Sequence, residues 1–383
     1  MRDMRVDEST DQALLDSNGN ANINTSRDGN TSVVEGNNVV DDKAYETIIK
    51  NAQNQSGLAS DVWSAAFLVI IKDFPDFALG EWHIENVLRA SFVMVCYTMN
   101  IVLQLLMLMY IVTRVALPAL LQVQNLYRSF HETSFVDGMF DQHAFDEHMG
   151  DKRADLCQIA LSTRAFLGAI LFLWVAACSA EIKTIIRIIT DLRSLPALPA
   201  GHGPHDMVHE AEHGNGLFHE DLHLLVCINR MTSFWLYAFI IIPRMFVIIC
   251  LCCVGCLWLM AAENFGDLIL NSLALKFVVE IDELIFMVFL PARLAKTLDT
   301  TKIGTPRDWS LTDEEREKKD IISAYKRSTI YLVGCALFVF VIFHFQIIVP
   351  SYQWDVKSAC VGYLSDQKPW CMPWQDSCFP ITD

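Results

Sequence analysis

Charge is scarce in these 383 residues. Asp, Glu, Lys and Arg make up 19% of the chain against 52% apolar residues, where soluble domains carry about 25% charged residues. The common catalytic signatures are missing as well. There is no Gly-rich phosphate loop, no G-x-S-x-G and no H-E-x-x-H, so enzymatic activity is not expected. A basic surplus is lacking, the formal net charge being −16. That excludes a nucleic-acid partner, whose phosphates demand basic patches. Residues 1–60 are polar throughout and offer no signal peptide; the first hydrophobic span is expected to serve as the targeting signal.

What the chain has instead is long apolar runs. They predict an all-α, multi-pass transmembrane helical bundle, an integral membrane protein whose first partner is the lipid bilayer. About five spans are expected, near 90–113, 160–180, 245–262, 265–292 and 328–350, within a membrane domain over 61–350. The clearest is Ala90–Thr113, uncharged between Arg89 and Arg114. Asn100 and Gln104 share a face of it and suit hydrogen bonds to a neighbouring helix; Pro118 ends or kinks the helix. A second span centres on Ala165–Ala180. Met231–Ala262 holds one charge, Arg244, directly after Pro243. Either Arg244 marks an interface and the span starts at Met245, or the two residues form a kinked, charged site at depth. Asp61–Phe74 is too short to span and reads as an interfacial or docking helix. Ser310–Asp313 predicts the N-cap of a soluble helix ahead of the last span.

The stretch Phe265–Ala292 is long enough to cross a bilayer yet carries Asp267, Asn271, Lys276, Glu280, Asp282 and Glu283. Charge at membrane depth is costly, so such residues face a bundle interior or a water-filled route, or the segment does not span. On one continuous helix Asp267, Asn271 and Asp282 share a face, and Ser272, Lys276, Glu280 and Glu283 form a second stripe. Lys276 and Glu280, four apart, can neutralise each other, and Arg244 is a candidate counter-charge for the remaining acids. Two functions fit. One is a channel- or transporter-like protein moving a cation or protons along these residues, alone or as a homo-oligomer. The other is a non-transporting scaffold or sensor in which the charges are structural. Within this stretch, NSLALKFVVEIDELIF resembles a segment of multi-pass membrane proteins of dinoflagellate algae; the resemblance implies a membrane location and no particular activity.

The polar parts carry the remaining signals. The tail 1–60 has ten acidic and five basic residues and too few large apolar ones to bury, so disorder is expected. It holds sequons at Asn24, Asn30 and Asn54, usable only in a secretory lumen. Six histidines fall between residues 202 and 223. If Asp206–His213 is helical, His205, His209 and His213 line one face and suit zinc; otherwise the loop is a polar linker. This loop is similar to the His-rich loops of some zinc transporters, without their intramembrane His/Asp motifs. Cys250, Cys252, Cys253 and Cys256 read as small packing residues or a soft-metal site. The Cys/Trp tail 351–383 is expected outside the cytoplasm, with one disulfide and one odd thiol among Cys360, Cys371 and Cys378. Nine Lys or Arg in 293–327 place that loop in the cytoplasm. Five crossings then put the N-terminus and the His-rich loop there too; four would put both outside.

Overall fold

The computed structural model describes residues 35–52, 54–80, 82–136, 139–150, 152–162, 164–199, 201–213, 220–306 and 312–345, with 352, 355, 356, 359 and 360. In chain order these form α1 (Glu35–Asn51), β1 (Asn54–Gly57), α2 (Val62–Leu79), α3 (Ile84–Tyr110), α4 (Leu117–Ser134), a short hairpin of β2 (Phe135–Val136) and β3 (Met139–Phe140), α5 (Gln142–His148), α6 (Lys152–Gln158) and α7 (Arg164–Ser194). There follow β4 (Val208–His213), β5 (Glu220–Leu225), α8 (Arg230–Leu236), α9 (Ile242–Met260), α10 (Phe265–Val279), α11 (Ile281–Phe289), α12 (Ala292–Thr300), β6 (Thr301–Thr305) and α13 (Asp313–Phe345). The molecule is predominantly helical, as expected, with a four-stranded sheet that the apolar pattern did not announce.

Four stretches are long and apolar enough to cross a membrane: Ile84–Ser134, Arg164–Ser194, Arg230–Met260 and Glu314–Phe345. Their outward faces carry residues such as Leu106, Leu173, Phe246 and Leu337, all well exposed, which marks contact with lipid. Two of the four are compound. A π turn at Ile111–Ala116 joins α3 to α4, and another at Tyr237–Ile241 joins α8 to α9. In both, a proline follows the π turn by two residues, Pro118 and Pro243. The wider turn absorbs the missing N–H and the ring, so neither proline ends its helix. The single helix α13 likewise replaces the expected soluble helix followed by a span. It starts with a capping box in which Thr312 Oγ1 accepts from Glu315 N (3.4 Å) and Glu315 Oε2 accepts from Thr312 N (3.2 Å). The cap is thus Thr312; Ser310 lies outside the described residues.

Each end of the bundle is closed differently. At one end the sheet has the order β1-β6-β5-β4, antiparallel except for the parallel pair β5–β6. Its strands come from three separate places: before α2, between α7 and α8, and between α12 and α13. Ser56 Oγ donates to Asp191 near the end of α7 (2.7 Å), tying β1 to the bundle. Helix α1 packs on the sheet through Tyr45, Ile48 and Ile49 against Leu224, Val226 and Cys227. Gly304 allows this, since a Cβ there would stand 2.9 Å from that of Ala52. Burial pushes both the Tyr45 hydroxyl, which donates to Asp206 O (2.8 Å), and the Cys227 thiol up to about 12. Disorder expected to residue 60 is therefore corrected to a fold beginning at Glu35; residues 1–34 lie outside the described residues.

At the other end a disulfide joins Cys157 in α6 to Cys360. The expected partners of Cys360, Cys371 and Cys378, lie outside the described residues. The true partner is 203 residues away, which is why tail spacing could not reveal it. His131 Nε2 lies 2.8 Å from Asp355 Oδ2 and 2.8 Å from the Tyr127 hydroxyl, and Ala160 N donates to Ala262 O (3.1 Å). So α7 starts and α9 finishes at the disulfide end. The pair α10–α11 then returns the chain to the sheet end.

Between the two ends lies α2, apolar on every side and accordingly buried on every side. Val62 through Ile71 are each at most 2% exposed. The interfacial reading of Asp61–Phe74 is thus wrong, and docking is right. Helices α7 and α9 pack closely because Gly255 leaves room for Trp174, whose Nε1 donates to Cys252 O (3.3 Å). A Cβ on Gly255 would fall 2.5 Å from that indole nitrogen. We expect Gly255→Ala to destabilise the protein by about 1–3 kcal/mol through overpacking. A thermal melt in detergent checks this, and an unchanged midpoint contradicts it.

Candidate functional site

One charged group sits in the middle of the bundle. Arg244 lies fourteen residues into the 31-residue helix Arg230–Met260, about 21 Å from its start. It is 6% exposed, and its Nη2 meets Asp61 Oδ2 at 2.9 Å and Glu181 Oε2 at 3.0 Å. The guanidinium carbon also stands 6.0 Å from the centre of the Trp63 ring, a cation–π distance. The helix runs from Arg230 through Pro243 to Met260 with Arg244 buried within it, so it does not start at Met245.

Each partner is placed by local structure. Asp61 is the N-cap of α2: its Oδ1 accepts from Ser64 N (2.7 Å), which fixes the carboxylate and leaves Oδ2 for Arg244. The positive end of α2 adds to its stabilisation. Glu181 stands near the middle of α7 (Arg164–Ser194). The third carboxylate, Asp282, follows a break at Glu280, whose φ −87° and ψ 4° separate α10 from α11. Asp282 is 5% exposed and close enough for its charge to act on Arg244. A cavity of about 20 Å³ connects Gln104, Glu181, Arg244 and Asp282, floored by Trp63 and Val279. That is room for about one water molecule. Arg244 Nη1 and Gln104 Oε1 are buried without a protein partner, as is the whole amide of Asn100, one turn from Gln104. Buried polar groups are nearly always paired, so Arg244 Nη1 and Gln104 Oε1, whose residues both line the cavity, mark a place suited to a small polar guest.

The charged stripe expected on Phe265–Ala292 does not form as one pathway. Of its residues only Asp282 joins Arg244. Asp267 is bonded to Asn264 at the start of α10, where Asn264 Nδ2 donates to Asp267 Oδ2 (2.7 Å). Asn271 is half-buried. Lys276 and Glu280 do pair, at 3.0 Å, but with side chains 46% and 47% exposed on the outer surface. Glu283 is exposed there too. The physical reason is helical: residues 280 and 282 lie on opposite sides of any helix, so a single lining was unavailable. Asp61 opens the apolar run 62–71 and Glu181 follows the uncharged stretch 165–180, and an acid bordering such a run is the signal that points to them.

The zinc reading of the His-rich loop rested on a helix that does not exist. Val208–His213 is a strand paired with Glu220–Leu225, because V-H-E-A-E-H alternates and a Gly-Asn-Gly turn signal follows it in the sequence. His205 lies in the preceding turn and pairs with Asp76 (3.0 Å), away from the register positions of His209 and His213. Among the described residues no three of His, Cys, Asp and Glu converge as a metal-binding group. That holds for the cysteines of α9, of which Cys252 and Cys256 face Cys178 in the α7 interface, and for the carboxylates of the central cluster. The chain matches no family model, no curated protein and no solved structure.

Proposed function

We propose that this chain is an integral membrane protein that transports protons through the central cluster of Arg244, Asp61, Glu181 and Asp282. One observation carries the reading: Asp61 and Glu181 pair with Arg244 at 2.9 and 3.0 Å, and Asp282 lines the same buried cavity of about 20 Å³. Fully ionised, the group bears a net charge of −2, and uncompensated buried charge costs several kcal/mol per ion. Something positive must neutralise it. A metal ion is poorly served, because the guanidinium occupies the centre and the carboxylates do not converge. Protons need neither space nor convergence. A carboxylate that gains and loses a proton beside a fixed cation, with the unpaired Gln104 carbonyl to hold water, is the chemistry of a relay.

The reading includes five crossings, the fifth made by the broken pair α10–α11. The sheet supports it: β1, β5 and β6 sit side by side, so the chain must return to the sheet end after α9. The disulfide belongs in an oxidising compartment. The sheet end, next to the basic residues of 293–327, belongs in the cytoplasm. The sequon at Asn54, in β1, is then out of reach of glycosylation.

The test is proton flux into liposomes holding the purified protein, read by an internal pH-sensitive dye under an imposed potential. Asp282→Asn and Glu181→Gln are expected to lower flux at least tenfold, and Glu280→Gln to leave it unchanged. Wild-type protein that carries no flux, or Asp282→Asn that carries normal flux, overturns the proposal. The first result favours the scaffold reading, in which the same cluster only holds four helices together.

A further inference from the structure

We propose that the outer face of α10–α11 is the contact surface of a symmetric dimer, with a second copy of this chain as its occupant. The inference is independent of proton transport. Counting from Phe265, Lys276 lies about 16 Å and Glu280 about 22 Å along the helix, well inside a hydrocarbon core of about 30 Å. Their side chains are nonetheless 46% and 47% exposed, and Glu283 beside them is exposed too. Charges facing lipid at this depth are costly, and such residues in membrane proteins face protein or water. Among the described residues no segment covers them.

The surface describes its own partner. A groove of about 610 Å³ runs between α3 and α10, walled by Met107, Trp258, Leu273 and Phe277 with Lys276 and Glu280 at its edge. Leu270 on its wall, and Met287 and Val288 of α11, protrude, each more than 60% exposed. The face therefore offers both knobs and a hole, and both members of an ion pair. In a dimer with its two-fold axis along the membrane normal, the same patch meets itself. The protruding apolar residues of one copy then fill the groove of the other. Lys276, one helical turn from Glu280, comes within reach of Glu280 and Glu283 of the other copy. A lipid headgroup could not supply this match at mid-depth, and an unrelated partner has no reason to carry the same pattern.

The experiment counts subunits by single-molecule photobleaching of the full-length, singly labelled protein in dilute lipid vesicles. Two bleaching steps are expected for the wild type. Lys276→Glu makes the face wholly acidic and Glu280→Lys makes it largely basic, so each variant alone should show a several-fold drop in two-step particles. Reconstituted together in two colours, they should pair with each other at close to the wild-type frequency. One step, or more than two, for the wild type overturns the proposal. So do single variants that dimerise normally, and a mixture that fails to associate although both variants keep the Cys157–Cys360 disulfide. Should a variant not fold, the wild-type step count decides alone.

Discussion

Replacing Arg244 with Leu is expected to abolish the folded state in detergent, or to lower its stability by about 3–5 kcal/mol. That is the cost of removing one partner from a buried ion pair. The loss is larger than for an ordinary core substitution because three carboxylates remain. Asp61 and Glu181 lose direct contacts of 2.9 and 3.0 Å, and Asp282 loses its nearest positive charge. Asp61 also caps α2, the most deeply buried helix, so the disturbance reaches the centre of the core. Arg244→Lys should recover part of the loss; an ammonium keeps the charge but not the planar fork that meets two carboxylates. Combining Arg244→Leu with Asp61→Asn, Glu181→Gln and Asp282→Asn should recover most of it, since the stranded charge is gone. Fluorescence-detected size exclusion with a temperature ramp reads all of these. A normal midpoint for Arg244→Leu would mean that the cluster does not organise the bundle.

The second large effect is expected at the disulfide end. Cys157→Ser should lower stability by about 2–3 kcal/mol and release the tail from α6. A closed loop of 203 residues gives about 5 kcal/mol in a chain-entropy account. That figure assumes a free chain in water. Here the bilayer already confines the spans within the loop, so less entropy is left for the cross-link to remove. The prediction is a midpoint shift toward lower temperature, equal for Cys157→Ser and for reduced wild type, with two added reactive thiols on reduction. A shift appearing in only one of the two would separate the disulfide from the packing of Cys157 itself, which is fully buried.

How much could be read in advance follows from which interactions are local. The long helices were legible because twenty apolar residues in a row have few other uses, and Arg244 was legible as the one charge in its run. The Lys276–Glu280 pair was legible too, being one helical turn apart. Asp282 was found, but among residues that the helix turns the other way. What stayed hidden was long-range. Asp61 and Arg244 are far apart in sequence, as are Cys157 and Cys360, and nothing in either segment names the other. The His-rich stretch failed for a different reason: a four-residue spacing of histidines fits a helix and a strand alike, and the alternation of V-H-E-A-E-H should have decided it. The π turns before Pro118 and Pro243 explain why the spans expected near 90–113 and 245–262 are parts of the longer helices Ile84–Ser134 and Arg230–Met260.

The sheet has a consequence for the order in which the protein is made. Among the described strands β1 pairs with β6 alone, and β6 is synthesised after every long apolar helix except the last. At about 5–20 residues per second, β1 leaves the ribosome and waits some tens of seconds for its partner. With the crossings proposed above, the two meet only if an even number of crossings separates them, because one missed crossing would leave β6 on the wrong side. Closure of β1 on β6 therefore reports that both strands lie on the same side of the bilayer, and it does so while α13 is still to come.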